Sequence, residues 1–68
     1  MSEYNRGSVI RYYRKQKNMT QEELAEGICD TYTLARYESG GVSPSEENFQ
    51  KIMNKLGMSE ETILFNLQ

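Results

Sequence analysis

In the stretch DTYTLARYESG, Tyr32 and Arg36 stand four residues apart, so on a helix they share one outward stripe. Arginine is the side chain best suited to a bidentate bond with guanine O6 and N7, and tyrosine can pack on a thymine methyl or bond a phosphate. Gln21 opens the preceding run, QEELAEG, where its amide and the free N–H groups of a helix start can donate to a phosphate. The backbone around residues 39–41 can do likewise. This chemistry holds and reads a duplex; it makes and breaks no bonds. The plainer alternatives are an exposed Arg36 that pairs with Glu26 or with nothing, and a Tyr32 packed partly against the helix before it.

Other chemistries find little to work with. The sequence contains no histidine and one cysteine, which leaves no intramolecular disulfide and none of the usual zinc constellations. No nucleophile stands in recognisable order with a base, and no glycine-rich phosphate loop is present, so no enzymatic activity, metal or cofactor is expected. Cys29 has no Lys, Arg or His within three residues to lower its pKa. A small buried residue is the favoured reading of it over a redox sensor.

The elements that must position Tyr32, Arg36 and Gln21 are two short helices meeting at a tight turn, over residues 21–40. Thr20 followed three residues later by Glu23 has capping-box spacing and starts the first. That helix should fail near Gly27. Gly27, Ile28 and Cys29 form the break, and Asp30 caps the second helix, with Leu34 and Tyr37 on its buried side and Tyr32, Ala35, Arg36 and Ser39 roughly opposite. Gly40 and Gly41 end it.

Support comes from the flanks. Residues 1–6 lack periodicity and read as a flexible lead, with Arg6 near enough to the first helix to touch a DNA backbone. From about Gly7 to Lys17, Val9, Ile10 and Tyr13 fall on one side of a first helix. After a loop, Ser45 caps another helix whose apolar positions Phe49, Ile52, Met53 and Leu56 look like core. Ser59 should cap a last helix with the stripe Ile63, Leu64 and Leu67. The expected fold is all-α, with five short helices.

A chain of 68 residues permits one domain and buries only about 60% of its unfolded surface, so every apolar face is needed. The net charge of -2 argues against a protein that coats nucleic acid through bulk charge. Its distribution is uneven. Arg6, Arg11, Arg14, Lys15 and Lys17 crowd the first quarter, whereas Glu46, Glu47, Glu60 and Glu61 lie in the last third, so one end can face phosphates. A solvated basic face on the first helix is the alternative. No apolar run approaches the roughly 20 residues of a membrane span and the N-terminus has no hydrophobic signal core, so a cytoplasmic protein is expected.

Taken together, Ile10-Arg11, Arg14, the run Met19 to Ala25, Leu34, Arg36, Glu38-Ser39-Gly40, Pro44-Ser45 and Leu56-Gly57 resemble the phage-repressor-like (lambda repressor and Cro, XRE) helix-turn-helix DNA-binding domain. The resemblance covers roughly residues 7–66, and implies a five-helix lambda-repressor-like domain whose motif spans residues 21–40. It also implies that the start of the recognition helix and the residue about a turn later enter the major groove. Here those are Thr31, Tyr32, Thr33 and Arg36, with Ser39 and Gly40 near the backbone. In the family, positions matching Arg14 and Glu38 form a partly buried ion pair. Arg14 on a phosphate is the functional alternative, and its guanidinium has donors enough for both.

Two departures qualify the match. The turn Gly27-Ile28-Cys29-Asp30 is one residue shorter than the commonest form, and this turn and the run from Glu38 to Ser45 are similar to those of peptide-responsive quorum-sensing regulators of Gram-positive bacteria. Those carry helical repeats after the DNA-binding domain. This sequence holds none, which leaves an excised domain or a superficial likeness to that branch. Many relatives also carry Lys or Arg after the glycine at position 40, where Gly41 and Val42 stand here, which lowers the expected non-specific affinity.

The function expected is that of a sequence-specific transcription regulator, or its DNA-binding domain, occupying a double-stranded operator. A homodimer on half-sites a helical turn apart is expected, because a module this small makes few contacts. The alternative is a protein-interaction domain, an antitoxin or adaptor, that kept the fold and binds a protein partner.

Overall fold

Asn5 caps the first described helix, and it does so through its side chain. Its Oδ1 accepts from the amides of Gly7, at 2.8 Å, and Ser8, at 3.2 Å. In this computed structural model, which describes residues 5–58, the helices are α1 (Arg6–Gln16), α2 (Gln21–Ala25), α3 (Thr31–Ser39) and α4 (Glu46–Lys55). The described chain is all-α. Asn5 and Arg6 thus belong to the cap and first turn of α1, which corrects their reading as part of a lead. An asparagine ahead of Arg-Gly gives little periodic signal, yet it satisfies two amides that a bare helix start would leave unpaired. The expected last helix lies outside the described residues.

Each remaining helix start is satisfied locally. Thr20 Oγ1 accepts from the Glu23 amide at 3.0 Å while the Glu23 carboxylate accepts from the Thr20 amide at 2.8 Å, a complete capping box. Asp30 accepts from the Thr33 amide at 2.7 Å, and Ser45 from the Asn48 amide at 3.1 Å. Asn18 ends α1 with a positive φ of 57°, a conformation asparagine tolerates better than most residues.

α1 and α2 each pack against α3 and α4. Val9, Ile10 and Tyr13 of α1, Leu24 and Ala25 of α2, Leu34 and Tyr37 of α3, and Phe49, Ile52 and Met53 of α4 form one buried cluster, closed by Leu56. Met19, Ile28, Cys29 and Met58 pack on its edge. Polar ties fix how the layers meet. Tyr37 buries its ring and accepts at its hydroxyl from Asn48 Nδ2 at 3.0 Å, and Lys55 Nζ donates to the Glu26 carbonyl at 2.7 Å, holding the turn between α2 and α3 against the end of α4.

The start of α1 passes so close to the end of α3 that only glycine fits. A Cβ on Gly7 would lie 1.9 Å from the Tyr37 carbonyl oxygen. Arg6 follows the same junction: its guanidinium lies 4.2 Å from the centroid of the Phe49 ring and pairs with Glu46 at 3.0 Å. Those contacts place its guanidinium against α4.

Candidate nucleic-acid interface

α3 presents its outer face to solvent because its apolar residues are spent on one side: Leu34 and Tyr37 are buried, while Thr31, Tyr32, Arg36 and Ser39 are exposed. Tyr32 is 69% exposed, so it does not pack against α2. The Arg36 guanidinium carbon stands 5.9 Å from the Tyr32 ring centroid, and Nη2 donates to the Gly41 carbonyl at 3.3 Å. Arg36 thus turns toward the end of its own helix, away from the Glu26 pairing considered above. Thr33 is half-buried, with its amide held by the Asp30 cap. It stands less far out than its neighbours.

At the end of α3 the chain reverses at Gly40, where φ is 86°, and the amides of Gly40 and Gly41 return to the carbonyls of Tyr37, at 3.2 Å, and Arg36, at 2.9 Å. This left-handed turn satisfies the last carbonyls of the helix. The Ser39 hydroxyl donates back to the Arg36 carbonyl at 3.2 Å, which leaves it as an acceptor toward any outside group.

Gln21 and the ion pair form one network. Arg14 Nε lies 2.6 Å from Glu38 Oε2, Nη2 donates to Oε1 at 3.0 Å, and Nη1 donates to the Met19 carbonyl at 2.8 Å. Side-chain exposure is 11% for Arg14 and 3% for Glu38, so the pair sits largely out of water. Gln21 Nε2 donates to the same Glu38 oxygen at 3.1 Å. One of its amide hydrogens is therefore engaged inward, and the capping box takes the amides of Thr20 and Glu23. The second Gln21 hydrogen remains for an outside acceptor.

Above this network lies an open cleft of about 210 Å³, lined by Arg11, Arg14, Lys15, Gln21, Ala35, Glu38 and Ser39. Among the described residues no ion pair or hydrogen bond engages the side chain of Arg11 or Lys15. Their charges face the cleft uncompensated, beside α3. Sequence reasoning counted both in a basic cluster but did not place them here; their i, i+4 spacing was the available signal. Gly41 as the acceptor for Arg36 had no signal at all.

Cys29 is partly buried against the core, and its thiol is pushed up, first by burial and then by the Asp30 charge. A raised pKa disfavours the thiolate, and the side chain packs on the edge of the core. Among the described residues no cluster of metal-ligating side chains occurs, and no helix is long and apolar enough to cross a membrane.

The family model described as helix-turn-helix matches residues 10–63, most of the chain and all of α2 and α3. The chain belongs to the helix-turn-helix family of XRE type. Within this helix-turn-helix domain α2 and α3 are the two helices of the motif. Over 93% of its length the chain resembles PlcR of Bacillus thuringiensis, solved in complex with the peptide PapR7 and DNA, with a TM-score of 0.77 and 35% identity. The matched region makes up 21% of PlcR, so the helix-turn-helix domain spans about a fifth of that protein. No curated protein gives a match.

Proposed function

We propose that this chain is a sequence-specific DNA-binding transcription regulator, or the DNA-binding domain of one, with residues 7–66 as the domain and α3 in the major groove of an operator. Thr31, Tyr32, Thr33 and Arg36 meet base edges, while Gln21, Ser39 and Gly40 meet the sugar-phosphate backbone. The observation that carries this reading is the juxtaposition of two charge environments. Arg11 and Lys15 stand uncompensated over a cleft whose other wall is α3, and the exposed stripe of Tyr32 and Arg36 continues from that wall. Phosphate contacts position a protein and base contacts specify its site, and here both kinds of donor lie on neighbouring surfaces. The likeness to PlcR, a protein solved with DNA, supports the same reading. Two copies on half-sites about one helical turn apart supply the specificity that one small domain lacks.

Selection of bound sites from a random duplex pool tests it, followed by binding to random-sequence duplex across a salt series. The expected outcome is an enriched motif, and non-specific affinity that falls steeply with salt as counterions are reabsorbed. A pool that enriches nothing, with no salt-dependent binding, overturns the reading in favour of a protein-interaction domain.

A further inference from the structure

Arg36 does not project freely from α3: it lies in a small cradle made by one residue a turn before it and one residue beyond the helix end. The Tyr32 ring lies 5.9 Å from the guanidinium carbon, within range of a cation–π attraction. Nη2 also donates to the Gly41 carbonyl at 3.3 Å. Gly41 contributes a second feature, its missing side chain. A Cβ there would stand 3.2 Å from Arg36 Nε, closer than an ordinary contact, and 3.5 Å from Nη2, so a side chain at this position would require the guanidinium to shift by a few tenths of an ångström. Gly41 shows no positive φ, so the backbone does not itself demand glycine. What its bareness provides is room for Arg36.

We propose that Tyr32 and Gly41 are positioning residues that fix the rotamer of Arg36 and so set guanine recognition by α3. The inference rests on the DNA-binding reading above and goes beyond it by assigning the specificity to a three-residue unit. An arginine on a helix surface has many rotamers, and holding one in advance reduces the ordering cost at the moment of binding. Bidentate contact with guanine O6 and N7 is demanding in direction, so it gains most from such restraint. An exposed aromatic face and a carbonyl from a tight turn are two anchors that leave the remaining N–H groups of the guanidinium without a hydrogen-bond partner among the described residues.

The test uses the 68-residue chain, its selected duplex, and the same duplex with 7-deazaguanine, which lacks the N7 acceptor, at the guanine whose preference Arg36→Ala abolishes. The measured quantity is the ratio of affinities for the two duplexes. Wild type should lose roughly tenfold on the deaza duplex. Gly41→Ala and Tyr32→Ala should bring the ratio toward one, whereas Tyr32→Phe, which keeps the aromatic face, should retain it. A role of Tyr32 or Gly41 in general stability would lower affinity for both duplexes alike and leave the ratio unchanged. Ratios equal to wild type in Gly41→Ala and Tyr32→Ala overturn the cradle while leaving DNA binding intact. A chain that selects no duplex overturns the DNA-binding reading, and the cradle with it.

Discussion

Glu38 accepts two bonds from Arg14 and one from Gln21, and at 3% side-chain exposure it has almost no water to fall back on. Removing its charge while keeping its shape leaves the Arg14 guanidinium in place without a full counterion, and the new amide turns a donor toward it. Losing one partner of such a pair costs more than the pair contributes, because the survivor is left poorly solvated. Glu38→Gln should therefore destabilise the domain by about 1–3 kcal/mol, seen as a lower urea midpoint at unchanged slope. An unchanged midpoint would show that the network adds nothing to stability. The spacing of Arg14 and Glu38 could be read from the motif, since both residues lie within the pattern that resembles the family. The third member could not: in the sequence Gln21 shows only an amide at a helix start that can donate to a phosphate, and it is the tertiary placement of α2 against α3 that turns this amide to Glu38.

At the scale of elements, the parts legible in the sequence were those set by local chemistry. Thr20 with Glu23, Asp30 and Ser45 each act within three residues, and each caps the helix that the spacing predicts. The meeting of α1 with α3 was not legible, because Gly7 and Tyr37 are thirty residues apart and nothing in either neighbourhood signals a contact. Gly7→Ala must move α1 off the Tyr37 carbonyl, a backbone atom that cannot swing aside. Overpacking of this kind costs about 1–3 kcal/mol, and the loss should appear as a lower thermal midpoint. Wild-type stability in Gly7→Ala would mean that α1 can shift without penalty. The cap of α3 adds a pH dependence. The side chain of Thr33 first, and then its amide, hold the Asp30 carboxyl below its usual value. A carboxyl lowered on folding contributes stability above its unfolded pKa and loses that contribution as pH falls through the folded one. Asp30→Asn keeps an acceptor at the cap but does not titrate. Wild type should thus lose more stability than Asp30→Asn between neutral and acid pH, and parallel stability curves for the two would remove the carboxylate from the account.

For the whole molecule the question is how a chain with 10 acidic and 8 basic residues can bind a polyanion. Net charge counts every group equally, whereas a duplex meets one face. On α4 the cations are occupied: Lys51 pairs with Glu47 at 3.3 Å, and Lys55 reaches the Glu26 carbonyl. In the cleft beside α3, Arg11 and Lys15 remain uncompensated, and Arg14 beneath them is neutralised by Glu38. Attraction to phosphates beside α3 is therefore expected to come from these two residues, next to the proposed base reader Arg36, and not from the bulk charge. Each phosphate neutralised by a cation steepens the fall of affinity with salt by about 0.9 on logarithmic axes. Arg11→Gln and Lys15→Gln should each lower the slope by about that amount and weaken all duplexes alike, with the ranking of single-base variants unchanged, because a phosphate contact carries no sequence information. Lys51→Gln removes the same formal charge from α4 and should leave the slope as it was. Equal slope losses for Lys51→Gln and for the two cleft variants would show that the duplex responds to total charge, and would detach Arg11 and Lys15 from the interface.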